Sequence, residues 1–141
     1  MEIGLIAVGA AISLAAVGSA LGTGAAGMAA VGAWKKCFIQ NKPAPFLLLA
    51  FVGAPLTQTI YGYILMSRLT ESAAPDMIKL GAGIFGGLAI GFSAWQQGKA
   101  AAAASDAFVE TGKGFTNYLM VLGIIETVAL FVMVFLMIAI G

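Results

Sequence analysis

The sequence predicts an all-α membrane protein of four transmembrane helices, folded as two duplicated antiparallel hairpins. Composition leads there first: of 141 residues 61% are apolar and 9% charged, with a mean hydropathy of +1.02, so a domain this small has no charged surface to present to water. Four apolar runs follow, about Ile3 to Trp34, Ala44 to Ser67, Met77 to Phe108 and Gly114 to Ile140, and each reaches the roughly 20 residues that cross a bilayer as helix. The third feature is a repeat. Ser19-Ala20-Leu21-Gly22-Thr23-Gly24-Ala25-Ala26 lies on Ser93-Ala94-Trp95-Gln96-Gln97-Gly98-Lys99-Ala100, with Gly/Ala-rich sequence on both sides. Residues 1–70 are then the first hairpin and residues 71–141 the second.

The first run opens at Met1-Glu2-Ile3-Gly4 without the basic stretch of a secretory signal and continues far past signal length, so a retained helix is expected. Ala11, Ala15, Gly18 and Gly22 recur along it at steps of three or four, a row of small residues that lets two backbones approach closely. The segment from Lys35 to Pro43 breaks the pattern. In the second run Pro55 removes a helical N–H and clashes with the preceding turn, loosening local carbonyls. The second break runs from Arg68 to Asp76 and contains Pro75. The third run repeats the small-residue row with Gly83, Gly87, Gly91, Ala94 and Gly98. A turn at Glu110 to Lys113 leads to the fourth run. Short breaks make neighbouring helices antiparallel. Runs two and four carry the bulk, in Phe46, Phe51, Tyr61, Tyr63, Phe131 and Phe135, which predicts a tight inner layer of runs one and three and a wider, lipid-facing outer layer.

Charge placement sets the expected orientation in the cell membrane. Lys35, Lys36, Lys42, Lys99 and Lys113 fall on or near the first and third connections, whereas Arg68 and Lys79 flank the second. The positive-inside bias then puts the first and third loops in the cytoplasm and both termini opposite. A net charge of +1, with no basic face interleaved with aromatics, excludes nucleic acid as a partner. Cys37 is the sole cysteine and the chain has no His, so an intrachain disulfide and a Cys/His metal site are both excluded. Cys37 reads as a small residue near a helix end.

Between Lys113 and the end of the fourth run the ionisable side chains are Tyr118 and Glu126, and Glu126 lies about 18 Å from Gly114 and about 21 Å from Ile140 along a helix. That is mid-bilayer. A carboxylate there costs several kcal/mol unless it is neutralised, paired or hydrogen-bonded, so a functional role is its default reading. On run two Ala54, Thr57, Gln58 and Tyr61 share one helical face and offer a hydroxyl, an amide and a phenol at one depth. Run three adds Gln96 and Gln97, of which one can face inward while the other turns about 100° away. Glu126, Gln58, Gln97, Thr57 and a backbone carbonyl make an oxygen set with one formal charge, which suits a monovalent cation; Mg2+ and Ca2+ sites recruit more carboxylates.

With these residues in place the chain resembles the proteolipid rotor-ring subunit, of the K or c type, of V-type and A-type rotary ATPases in its duplicated four-helix form. The resemblance rests on Pro55-Leu56-Thr57-Gln58-Thr59-Ile60-Tyr61-Gly62, on Gln97-Gly98-Lys99 with the Ala run that follows, and on Ile125-Glu126-Thr127. It implies a homo-oligomeric ring, set in membrane lipid, that turns against a stator subunit bearing an arginine and is joined to central stalk subunits. In sodium-translocating members the ion is held by residues matching Thr57, Gln58, Gln97, Glu126 and the main-chain carbonyl of Ala54, with a tyrosine matching Tyr61 closing the site. Leu56 and Thr59 depart from that pattern, standing where relatives carry smaller residues, and neither removes a ligand. Gln58 holds in the first hairpin the place that Glu126 holds in the second, so two hairpins share one transported charge.

The expected function is ion transport by a rotor component carrying Na+, or in the alternative H+, with no organic cofactor. No catalytic nucleophile or phosphate loop is present, so catalysis is expected of partner subunits. A small proton-coupled multidrug exporter also has four helices and one intramembrane glutamate, but its acid sits in the first helix, where this chain has none. A purely structural proteolipid needs no polar set at one depth in three helices.

Overall fold

The computed structural model describes residues 3–141; Met1 and Glu2, with which the retained first helix was expected to open, lie outside the described residues. Helix α1 (Ile3–Ile39) is followed by α2 (Leu48–Gly53), a 3-10 turn (Ala54–Leu56) and α3 (Thr57–Glu71), then by α4 (Asp76–Thr111) and α5 (Phe115–Ala139). The segment Leu48–Glu71 forms one span, so four helices are long and apolar enough to cross a membrane. Strand is absent among the described residues. In lipid the backbone must satisfy itself, and helix does so within each segment.

The spans run further than hydropathy alone predicts. α1 continues past Trp34 to Ile39, and α4 past Phe108 to Thr111. The charged residues there belong to helix rather than loop because they pair between helices: Lys36 Nζ lies 3.2 Å from Asp106 Oδ1 and 2.8 Å from Glu110 Oε1. α1 stops where Asn41 adopts φ 52°, with the Asn41 N–H donating to the Phe38 carbonyl and the Lys42 N–H to the Cys37 carbonyl, a Schellman closure followed directly by Pro43. α4 stops at Gly112, whose φ of 66° turns the chain and directs its N–H to the Phe108 carbonyl at 2.7 Å.

The most extensive helix contact joins α1 to α4, the first helices of the two repeats. The rows of small residues meet there. A Cβ on Gly18 would fall on the Gly91 backbone, and one on Gly98 on the Gly22 backbone. Association inside lipid gains nothing from expelling water, so this close backbone packing is what holds the pair together. α3 and α5 lie over them, each touching α4 as well as one another.

Two apolar clusters form the core. One gathers Ala11, Ala15, Leu65, Ile90, Ala129 and Met133; the other gathers Ala26, Leu48, Phe51, Ala101 and Leu122. Phe51 was expected in a lipid-facing layer, yet it is fully buried, its ring 5.3 Å from Phe115 and 6.3 Å from both Phe108 and Tyr118. Such aromatic pairs contribute about 0.5–1.5 kcal/mol each, which favours turning this ring inward. Phe131 and Phe135 do face outward, stacked 5.8 Å apart. Ser72 Oγ donates to the Ile140 carbonyl at 2.6 Å, tying the link between the hairpins to the end of α5.

Candidate functional site at the broken helix

Pro55 sits where the second span breaks. It has no N–H to continue the ladder, and the backbone tightens into a 3-10 turn over Ala54–Leu56 before α3 resumes. The Ala54 carbonyl thereby comes within 3.1 Å of Thr57 Oγ1. Thr57, Gln58 and Tyr61 follow on the first turn of α3, at the depth where α4 presents Gln97 and α5 presents Glu126.

Hydrogen bonds join these residues into one network. Glu126 Oε1 accepts from the Tyr61 hydroxyl at 2.7 Å and from the Thr57 hydroxyl. Gln97 Nε2 donates to the Leu122 carbonyl at 2.9 Å and lies 3.3 Å from Glu126 Oε2. Gln97 Oε1 in turn accepts from Gln58 Nε2 at 2.8 Å. A chain of orientation follows. The Leu122 carbonyl can only accept, so it fixes the nitrogen side of the Gln97 amide; the Gln97 oxygen then fixes the nitrogen side of Gln58. Gln58 Oε1 is left facing Thr57 Oγ1 at 3.1 Å.

Both glutamines of the network are fully buried, whereas Glu126, Thr57 and Tyr61 are half-buried. Of the adjacent pair on α4, Gln97 faces in and Gln96 is exposed. The carboxylate is therefore partly accessible from outside the bundle, and Ile60 and Ile124 on the same two helices are exposed. Among the described residues no group of three or more His, Cys, Asp or Glu converges.

Three acceptor oxygens surround the Thr57 hydroxyl: Ala54 O, Gln58 Oε1 and Glu126 Oε1. The hydroxyl has one proton. Glu126 Oε1 also accepts from the Tyr61 hydroxyl, so the carboxylate keeps a donor whichever oxygen the Thr57 proton takes. Oxygens from the second span thus gather beside one carboxylate at one depth.

Two features of this region were not anticipated. The Leu122 carbonyl orients the whole amide chain, and a carbonyl is invisible to a reading of side-chain types. Ser93 Oγ donates across to the Ile125 carbonyl at 2.9 Å. The alignment of Ser93 with Ser19, one turn before Gln97, was the signal available for it.

Fold and site together define a multi-pass membrane protein with one acid at mid-membrane, set among oxygens. Residues 80–139 match the family model for the C subunit of ATP synthase. That stretch spans α4 from Leu80 and all of α5, so it includes Gln97 and Glu126; Ala54, Thr57, Gln58 and Tyr61 lie in the other hairpin. The family is that of non-catalytic rotor subunits, which form oligomeric rings with other subunits of the ATPase. A search of curated proteins finds no match to the chain.

Proposed function

We propose that the chain is a rotor-ring subunit of a V-type or A-type ATPase or ATP synthase, and that each copy carries one Na+ on Glu126. The observation that carries the sodium reading is the convergence of the Ala54 carbonyl, the Thr57 hydroxyl and Gln58 Oε1 beside Glu126. A proton carrier needs an acid and one or two partners; here Ala54 O, Thr57, Gln58 and Gln97 supply further oxygens to a single carboxylate. One negative charge matches one monovalent ion.

Tyr61 and Thr57 hold the carboxylate toward the bundle while it carries the ion past lipid. Release requires those bonds to break, and a stator arginine meeting Glu126 at the outer face would replace the ion as its counter-charge. Turning the ring then alternates Glu126 between two paired states, while stalk subunits transmit the rotation to the head that makes or hydrolyses ATP. Because Gln58 stands where an acid would complete a second site, the four helices together move one ion.

In inverted membrane vesicles containing the assembled ATPase, ATP should drive uptake of radioactive sodium that persists when a protonophore collapses the proton gradient. Uptake that stops with the protonophore would show sodium to be a passenger of proton transport. We further propose that the first and third loops face the cytoplasm. A cysteine at Lys42 should then resist an impermeant thiol reagent added to intact cells and react once the membrane is opened; labelling in intact cells would invert the topology.

A further inference from the structure

α4 grips α5 at two points around the acid, and one of them lies outside the oxygen set. Gln97 Nε2 reaches the Leu122 carbonyl at 2.9 Å, and one turn earlier on the same face of α4, Ser93 Oγ reaches the Ile125 carbonyl, also at 2.9 Å. The helices run antiparallel, so these two rungs bracket the turn of α5 that ends at Glu126. Each carbonyl also serves the ladder of α5 itself, Leu122 for the Glu126 N–H and Ile125 for that of Ala129, and its second lone pair takes the bond from α4.

The duplication provides an internal control. Ser19 holds the place of Ser93 in the first copy and is as well buried, at 3% exposed against 6%, yet its hydroxyl has no partner. Thr23, in the place of Gln97, bonds back to its own helix at the Ser19 carbonyl, 2.8 Å away. A hydroxyl at this position does not therefore bond across helices as a by-product of close packing. It does so in the copy whose facing helix carries the acid.

We infer that Ser93 is a positioning residue for Glu126: its bond to the Ile125 carbonyl sets the rotation and height of α5 against α4, so that the carboxylate meets Thr57, Tyr61 and Gln97 together. This rests on the reading of Glu126 as the ion-carrying group. A single rung from Gln97 fixes one point of α5, whereas two rungs a turn apart fix its rotation as well. The Ser93 hydroxyl bonds to the Ile125 carbonyl and to none of the proposed ligand side chains. Its loss leaves every ligand present and degrades their convergence, while Ile125 keeps its bond within the helix.

The test compares S93A, S19A and the unsubstituted chain in membranes containing the assembled protein. The readout is the rate of carbodiimide modification of Glu126, against sodium concentration and against pH. S93A should raise the sodium concentration for half-protection by roughly fivefold, the worth of about one net hydrogen bond, and S19A should match the unsubstituted chain. Equal shifts in both variants, or none in S93A, would overturn the positioning role. If sodium protects nothing in the unsubstituted chain, the sodium reading falls by itself. The rate of modification at one fixed pH then carries the same comparison, changed by roughly fivefold in S93A and unchanged in S19A. Thermal unfolding of each variant separates the alternatives further: a merely structural serine lowers the melting temperature and leaves the modification of Glu126 unchanged.

Discussion

Glu126→Gln will abolish ion transport while leaving the bundle folded and assembled. The amide is isosteric with the acid and can still accept from the Tyr61 hydroxyl, which in the native protein lies 2.7 Å from Glu126 Oε1. What it cannot do is alternate between a charged and a neutralised state. An unpaired carboxylate at mid-membrane costs several kcal/mol, so the native group keeps its cation until a counter-charge replaces it, and a permanently neutral amide has no such cycle. ATP-driven sodium uptake in vesicles should fall by at least about 100-fold, the scale of losing an interaction of about 2.7 kcal/mol. The complex should still purify at its normal size. Uptake at the native rate would remove Glu126 from the mechanism.

Replacing Gln58 and Gln97 together by Leu should remove sodium protection of Glu126 and spare its reaction with carbodiimide. The two must go together. The amides bond to each other at 2.8 Å, so removing one leaves a fully buried partner unsatisfied and confounds folding with binding. Removing both leaves the Leu122 carbonyl with its helical partner and takes two oxygens from the ion. Each bond to a charged group is worth about 1.5–3 kcal/mol, so the sodium concentration for half-protection should rise at least about 100-fold even with imperfect additivity. Glu126 keeps its contacts to Thr57 and Tyr61 and can still take a proton. Unchanged sodium protection in the double variant would exclude both amides from the site.

Much of this was legible because lipid simplifies the reading. A membrane span is written as a run of apolar residues, and an acid within it stands out by depth alone. Spacing then placed Thr57, Gln58 and Tyr61 on one face of the second span, and their network with Glu126 is seen in the structure. The rows of glycine and alanine, read from their spacing, are the α1–α4 contact.

What escaped depends on partners distant in sequence. Lys36 appeared to end a span until Asp106 and Glu110, from another helix, were found beside it. Phe51 appeared lipid-facing because a bulky residue in a membrane helix gives no sign of its side, and only the rings of Phe108, Phe115 and Tyr118 reveal it. Ser93 was silent for a similar reason. A serine in a membrane helix commonly bonds back to its own backbone, as Ser13 does to the Gly9 carbonyl at 2.7 Å, so its identity does not disclose a bond to a neighbour.

Whether Glu126 carries sodium is decided by carbodiimide modification of Glu126 in the unsubstituted protein across sodium concentrations at several pH values. The reagent attacks the protonated acid, and sodium bound at the same carboxylate displaces that proton. Protection should appear at millimolar sodium or below. It should weaken as the pH falls, with the half-protecting concentration rising up to about tenfold per pH unit where the proton dominates, as mutual exclusion at one site requires. Modification indifferent to sodium, from none to high millimolar at every pH, would rule out a sodium site at Glu126 and make the transported ion a proton.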